Sequence, residues 1–162
     1  MEKKPTIGFY AGSFDPFTIG HLDVVKQAAQ LFDSVIIGIG INPSKKRRYD
    51  KERMKLAIEE TMKEERFSNV TVVIYEGLTM DKALACDASY FIRGVRNGMN
   101  YQYEENLAAI NEAESGIKTL YFRAGDLSNI SSSMVVELLY YGRDVSKYLP
   151  FKVAEVVYST VK

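Results

Sequence analysis

The segment GSFDPFTIGH, Gly12 to His21, ends in the sole histidine of a 162-residue chain. Gly12 permits a backbone to approach a ligand closely. Thr18 has the side chain of a helix N-cap, which would leave the amides near Ile19 to His21 for an anion. An imidazole on that first turn can donate a hydrogen bond to a phosphate. Phe14, Asp15 and Phe17 read as residues that shape the loop. Spacing alone leaves a capped turn with a surface histidine as open as a phosphate-handling loop.

Three further polar segments carry chemistry-bearing side chains. SKKRR (44–48) is a run of four bases that cannot all point inward. One lysine at a phosphate fits, beside the ordinary reading of a solvated charge run. RGVR sets Arg93 and Arg96 around Gly94. Arginine matches phosphate bidentately, although arginines at strand ends also pair with acids. Of Ser131, Ser132 and Ser133, one suffices to cap a helix. The others offer hydroxyls and amides for a second anion site at a helix start, against the alternative of a serine-rich loop. Glu104, Leu107 and Asn111 share a helix face by their 3–4 spacing, which suits an amphipathic ligand or a solvated edge. Cys86, after Ala85 in a short helix, reads as a small buried hydrophobe.

Other chemistries lack their residues. There is no G-x-x-x-x-G-K-[ST] phosphate loop. GIGINP begins like a dinucleotide fingerprint but has no third glycine, and Gly38 and Gly40 fall within an apolar run, so packing is the better reading. A lone cysteine excludes an internal disulfide and a cysteine zinc cluster. Lysine plus arginine equals aspartate plus glutamate at 21 each, which gives no global charge for nucleic acid or membrane binding. No apolar run approaches a membrane span, and MEKKPTIGF lacks a signal-peptide core, so a cytoplasmic location is expected.

Positioning these segments requires a framework. The apolar runs 6–12, 35–41, 70–75, 89–93 and 119–124 read as strands, and their near-continuous apolarity suits strands buried on both faces of a parallel sheet. Between them Leu22, Val25, Ala29 and Phe32 recur at helical spacing. Met54, Ile58 and Met62 do so after Asp50, an N-cap candidate. Tyr103, Leu107 and Ile110 mark another helix, Met134, Leu138 and Leu139 a further one, and a terminal helix follows Pro150. A single α/β domain over residues 1–162 is expected, with a doubly wound, five-stranded parallel sheet. In the order 3-2-1-4-5 all four polar segments lie at the carboxyl edge, and those after strands one and four flank the crevice where the winding reverses.

In combination the motifs resemble a known family. GSFDPFTIGH is similar to the T/H-x-G-H signature of the nucleotidyltransferase superfamily, and ISSS to its second signature. RGVRN followed by YQYE narrows the resemblance to the phosphopantetheine adenylyltransferases, collinear from Tyr10 through Glu137. The resemblance implies a Rossmann-like, three-layer α/β/α fold, assembly as a homohexamer, and transfer of the adenylyl group of ATP to 4′-phosphopantetheine. The products are dephospho-coenzyme A and pyrophosphate, with Mg²⁺ carried mainly on the ATP phosphates and coenzyme A as a feedback inhibitor.

The resemblance also implies roles. By motif position His21 is the transition-state stabiliser, with Lys45 and Arg96 as further catalytic donors. Ser13, Phe14, Gly94, Val95, Arg96 and Glu104 fall where the family holds ATP. So does the segment Leu127, Ser128, Asn129, Ile130, Ser131, Ser132 and Ser133. Ser13, Lys45 and Arg93 fall at the acceptor phosphate, and Leu78, Thr79, Leu107 and Asn111 along the pantetheine arm. The chain departs from the family pattern at Ala11, where proline is frequent, and at Ile19, where asparagine is common. Thr79 stands in a place often held by a larger apolar residue, and Val136 replaces a usual lysine.

The implied chemistry fits the residues. A phosphate monoester has a second pKa of about 6 and is largely a dianion at neutral pH. Such a nucleophile needs no general base, and no base is supplied. The rival acceptors within the superfamily are nicotinamide mononucleotide and glycerol phosphate. The nicotinamide enzymes usually carry an arginine shortly after the serine signature, where this chain has Val136.

Overall fold

Strands buried on both faces must be covered by helices on both sides, and the computed structural model, which describes residues 3–95 and 108–160, has that arrangement. Five strands, β1 (Ile7–Gly12), β2 (Ser34–Ile41), β3 (Val70–Glu76), β4 (Tyr90–Val95) and β5 (Lys118–Arg123), form one sheet in the order β3-β2-β1-β4-β5. All pairings are parallel, with Phe9 opposite Ile36 on one side and Phe91 on the other. The fold is a doubly wound, three-layer α/β/α sheet of the expected strand order. The winding reverses between β1 and β4.

The helices are α1 (Ile19–Leu31), α2 (Lys51–Glu64), α3 (Thr79–Ala85), α4 (residues 108–115), α5 (Ser132–Tyr140) and α6 (Phe151–Thr160). Three of the starts were legible from residue type. Thr18, Asp50 and Ser131 each cap with a side-chain oxygen that accepts an amide on the first turn, from His21, Arg53 and Met134 respectively. The buried stripe of α1 is Leu22, Val24, Val25 and Ala28; Ala29, expected there, is only half-buried. Met54, Ile58 and Met62 are buried on α2 as expected. On α5 Val135 is the fully buried residue, while Met134, Leu138 and Leu139 pack partly buried against the core. Tyr103 and Leu107 lie outside the described residues, and Ile110 on α4 is exposed.

The sheet separates two apolar layers. One joins Tyr10, Val35, Ile37, Ile39 and Ile92 to α1, α2, α5 and α6. The other joins Phe9, Ala11, Tyr75 and Phe91 to Ala83 of α3 and to Ile117. Gly38 belongs to the second layer's packing: a Cβ there would lie 2.5 Å from the Phe9 ring. That is why an apparent fingerprint glycine sits inside β2. Cys86 is half-buried against this layer rather than fully buried, because it stands at the C-cap of α3. No helix among the described residues is long and apolar enough to cross a membrane.

Candidate active site

At the carboxyl end of β1 the chain turns sharply. Phe14 takes a positive φ of 47°, and its ring folds back over Gly12, where a Cβ would meet it at 3.0 Å. Gly12 makes room for the Phe14 ring and also lines the cavity described below. Phe14 and Phe17 are almost fully buried, and with Tyr10 they box the imidazole of His21. Phe17 stacks on it at 5.5 Å between centroids, and Phe14 meets it edge-on at 5.0 Å.

His21 is the third residue of α1 and completes a capping box. Its own amide donates to Thr18 Oγ1 at 3.3 Å, and the Thr18 amide donates to His21 Nδ1 at 3.0 Å. Two consequences follow. The His21 amide is engaged by the cap and does not stay open for an anion, which corrects the expectation drawn from the loop. A backbone N–H can only donate, so Nδ1 is the accepting nitrogen of the ring, and the network assigns the neutral ring's proton to Nε2. The fold thus determines which nitrogen of the histidine can donate.

The four polar segments converge at the carboxyl edge. A cavity of about 430 Å³ is lined by Ser13, Phe14 and His21, by Arg93 and Gly94 of β4, and by Leu127 and Ile130 to Ser133. Arg93 donates from Nη1 to the Ala11 carbonyl at 3.1 Å, which ties β4 to β1 across the reversal. Ser131 caps α5 through the Met134 amide at 3.1 Å, and its Oγ lies 3.3 Å from that of Ser133. Ser132 donates to the Pro16 carbonyl, so its hydroxyl serves the loop.

The basic run resolves into different tasks. Lys45 is exposed on a turn held at Asn42, whose carbonyl accepts the Lys45 amide at 3.0 Å and whose Oδ1 accepts the Ser44 amide and hydroxyl. Arg47 turns inward. It donates from Nη1 to the Ser13 carbonyl at 2.5 Å, from Nη2 to the Phe14 carbonyl at 3.4 Å and from Nε to the Tyr49 carbonyl at 3.0 Å. Its Nη2 also lies 3.5 Å from Asp15 Oδ1. Asp15 in turn accepts the amides of Arg48 and Tyr49 at 2.9 and 3.0 Å. Burial lowers the Arg47 pKa, against the opposing pull of Asp15 and Asp50.

Some expected residues stand apart. Lys45, Val95, Ser128, Asn129, Leu78, Thr79 and Asn111 do not line the cavity, although Val95 ends β4 beside it. Leu78 is exposed and precedes α3; Thr79 Oγ1 shares a 2.8 Å hydrogen bond with Tyr75 Oη. Burial raises the Tyr75 pKa, opposed by that bond and by Arg93. Asn111 is half-buried on α4. Arg96, Glu104 and Leu107 lie outside the described residues. Sequence reasoning did not single out Tyr10, Gly20, Val24 and Ala124, which also line the cavity. For Tyr10 and Ala124 the available signal was their place at or near a strand's carboxyl end.

Residues 9–138 match the cytidylyltransferase-like family. A phosphopantetheine adenylyltransferase of Phocaeicola vulgatus is 44% identical over 142 residues, covering 87% of this chain and 93% of that relative. One from Lachnoclostridium phytofermentans is 40% identical over 155 residues, covering 94% and 93%. Among solved structures, the nicotinic acid mononucleotide adenylyltransferase of Plasmodium falciparum, complexed with NaAD, has a TM-score of 0.70 at 16% identity. That likeness covers 98% of this chain and 97% of the other, and it is one of fold. With the T-x-G-H capping box and the serine-capped α5 meeting at one cavity, and with relatives this similar over nearly their whole length, the chain belongs to the phosphopantetheine adenylyltransferase family of nucleotidyltransferases.

Proposed function

We propose that this enzyme transfers the adenylyl group of ATP to 4′-phosphopantetheine, by direct in-line attack of the acceptor phosphate on the α-phosphate without a general base. The observation that carries this reading is the tautomer of His21. With Nδ1 accepting from Thr18, the neutral ring is a donor at Nε2, suited to offset charge that builds on the α-phosphate and not to take a proton. The acceptor, already a dianion, needs none taken.

The remaining roles follow from position. ATP phosphates lie against Ser13, Phe14 and the start of α5, with the nucleotide continuing along Gly94, Val95 and the Leu127–Ser133 segment. Arg93 and Lys45 hold the acceptor phosphate, and Leu78, Thr79 and Asn111 face its pantetheine arm. Arg96, Glu104 and Leu107 complete the set by motif position. The protein's work is alignment and electrostatic stabilisation, as in phosphoryl-transfer enzymes generally.

Mg²⁺ enters this reading on the nucleotide, where it offsets phosphate charge. Among the described residues no group of three or more His, Cys, Asp or Glu side chains is arranged to hold a metal ion. No step is assigned to the ion. The same reading includes a homohexameric assembly in the cytoplasm and inhibition by coenzyme A.

The test is pyrophosphate release from ATP with 4′-phosphopantetheine against nicotinamide mononucleotide and glycerol 3-phosphate. Release with 4′-phosphopantetheine is expected; release only with another acceptor overturns the assignment.

A further inference from the structure

We propose that Arg47 is a positioning residue, which holds the Ser13–Phe14 peptide with its carbonyl turned out and its N–H turned into the phosphate-binding cavity. This rests on the reading above, in which phosphates occupy that cavity. In a planar trans peptide the C=O and N–H point in opposite directions. The Ser13 carbonyl is held by Arg47 Nη1 at 2.5 Å, and Arg47 does not line the cavity, whereas Ser13 and Phe14 do. The Phe14 amide is therefore directed away from Arg47, toward the cavity side of the loop.

The local backbone supports this assignment. Phe14 has a φ of 47°, a conformation uncommon for a residue with a side chain. Its own carbonyl also turns to the same guanidinium, at 3.4 Å. Two successive carbonyls thus turn toward one cation, and by peptide planarity the Phe14 and Asp15 amides point away from it.

The device works through the fork of the guanidinium rather than through its charge. Asp15 sits beside Arg47 at 3.5 Å, and both side chains are largely buried, so the pair presents little net field to the cavity. A lysine keeps the charge but has no fork with which to span the Ser13, Phe14 and Tyr49 carbonyls. Asp15 binds the Arg48 and Tyr49 amides and so holds Arg47 in reach of the loop. One pair thereby couples the segment after β1 to the segment after β2 that carries Lys45.

The experiment compares wild type with Arg47→Lys and Arg47→Gln, each checked for folding by circular dichroism. Calorimetry measures binding of inorganic tripolyphosphate, ATP and adenosine, and amide NMR follows Phe14 during the tripolyphosphate titration. Both variants are expected to bind tripolyphosphate and ATP about 10-fold or more weakly, the worth of one hydrogen bond to a charged group, with adenosine unaffected. With ATP and 4′-phosphopantetheine, kcat should fall and the KM for ATP should rise. The wild-type Phe14 amide should shift on adding tripolyphosphate, and the shift should be lost in the variants. A folded Arg47→Lys protein with wild-type tripolyphosphate affinity overturns the proposal. If neither variant folds, a wild-type Phe14 amide that does not move on adding tripolyphosphate overturns it. Wild type that binds ATP but does not adenylylate 4′-phosphopantetheine overturns the acceptor assigned above, while the tripolyphosphate arm still decides the role of Arg47.

Discussion

Ser132 Oγ donates a 2.7 Å hydrogen bond to the carbonyl of Pro16, joining residues 116 positions apart. The start of α5 is thus fastened to the loop that leads into α1, and the two signature segments form one unit. Ser132→Ala leaves the Pro16 carbonyl without this donor and should cost about 1–3 kcal/mol. Urea unfolding of the two proteins measures it. Ser131→Ala, which removes the α5 cap, should cost about 1 kcal/mol, and Ser131→Asp should restore most of that.

His21 closes the capping box of α1 and, in the proposed reaction, donates to the α-phosphate; two substitutions separate these tasks. His21→Ala should lower turnover by about 10²–10³, the loss typical of removing one donor to a developing oxyanion. It should also lower stability by opening the capping box. His21→Gln should retain the box, since glutamine can accept the Thr18 amide, and so should keep stability while losing turnover. Unchanged turnover in either folded variant would remove His21 from the mechanism.

Arg93 reaches from β4 to the Ala11 carbonyl and lines the cavity. Arg93→Ala is expected to raise the KM for 4′-phosphopantetheine well above any change in that for ATP. Steady-state kinetics with each substrate varied in turn makes the comparison. A defect confined to ATP would reassign the residue.

Far from the site, Tyr158 Oη on α6 donates to Asp144 Oδ1 at 2.6 Å and accepts the Val145 amide at 2.9 Å. The Tyr158 hydrogen bond, followed by those from Ser146, holds the Asp144 pKa down at about 2. A carboxylate with a depressed folded-state pKa stabilises above its unfolded value, and that contribution fades as pH falls from about 3.8 toward 2. Tyr158→Phe should therefore raise the Asp144 titration midpoint toward the ordinary carboxylate range, which carbon NMR of the carboxyl group can follow. The stability gap between the two proteins should narrow over the same acidic interval. An Asp144 midpoint unmoved by Tyr158→Phe would show that the hydroxyl is not the cause.

The central strands β1, β2 and β4 were legible because burial leaves mostly Val, Ile, Phe, Tyr and Gly in them, and the order β3-β2-β1-β4-β5 is the one the doubly wound pattern supplies. The caps at Thr18 and Asp50, and a cap among Ser131 to Ser133, were legible because capping is a matter of a few adjacent residues; that Ser131 is the one came from the structure. Arg47 was not. A run of four bases has no periodicity to say which one turns inward, and the Ser13 and Phe14 carbonyls that recruit it are 34 and 33 residues away in the chain. The fate of the His21 amide escaped for a different reason. Thr18 was recognised as a cap, but which amide it takes depends on the geometry of that one turn. Among the expected site residues, those after β1, on β4 at Arg93 and Gly94, and at the start of α5 gather at the cavity, whereas Val95 at the end of β4 does not line it. Leu78, Thr79 and Asn111 belong to helices α3 and α4 or to the approach to them, and their distance from it is set by packing that no local motif encodes.

The capping box has a consequence for anyone altering this protein. A helix optimised for stability alone would carry glutamate or glutamine at the position of His21, where either closes the box with Thr18. Consensus-style stabilisation of α1 would therefore propose replacing the side chain to which the proposed reaction assigns the donor at Nε2, and a thermal screen would score the result as neutral or improved. If the proposed role of His21 holds, resistance to heat and turnover draw on the same hydrogen bond at this position but select different residues, so a stability assay alone is blind to the loss.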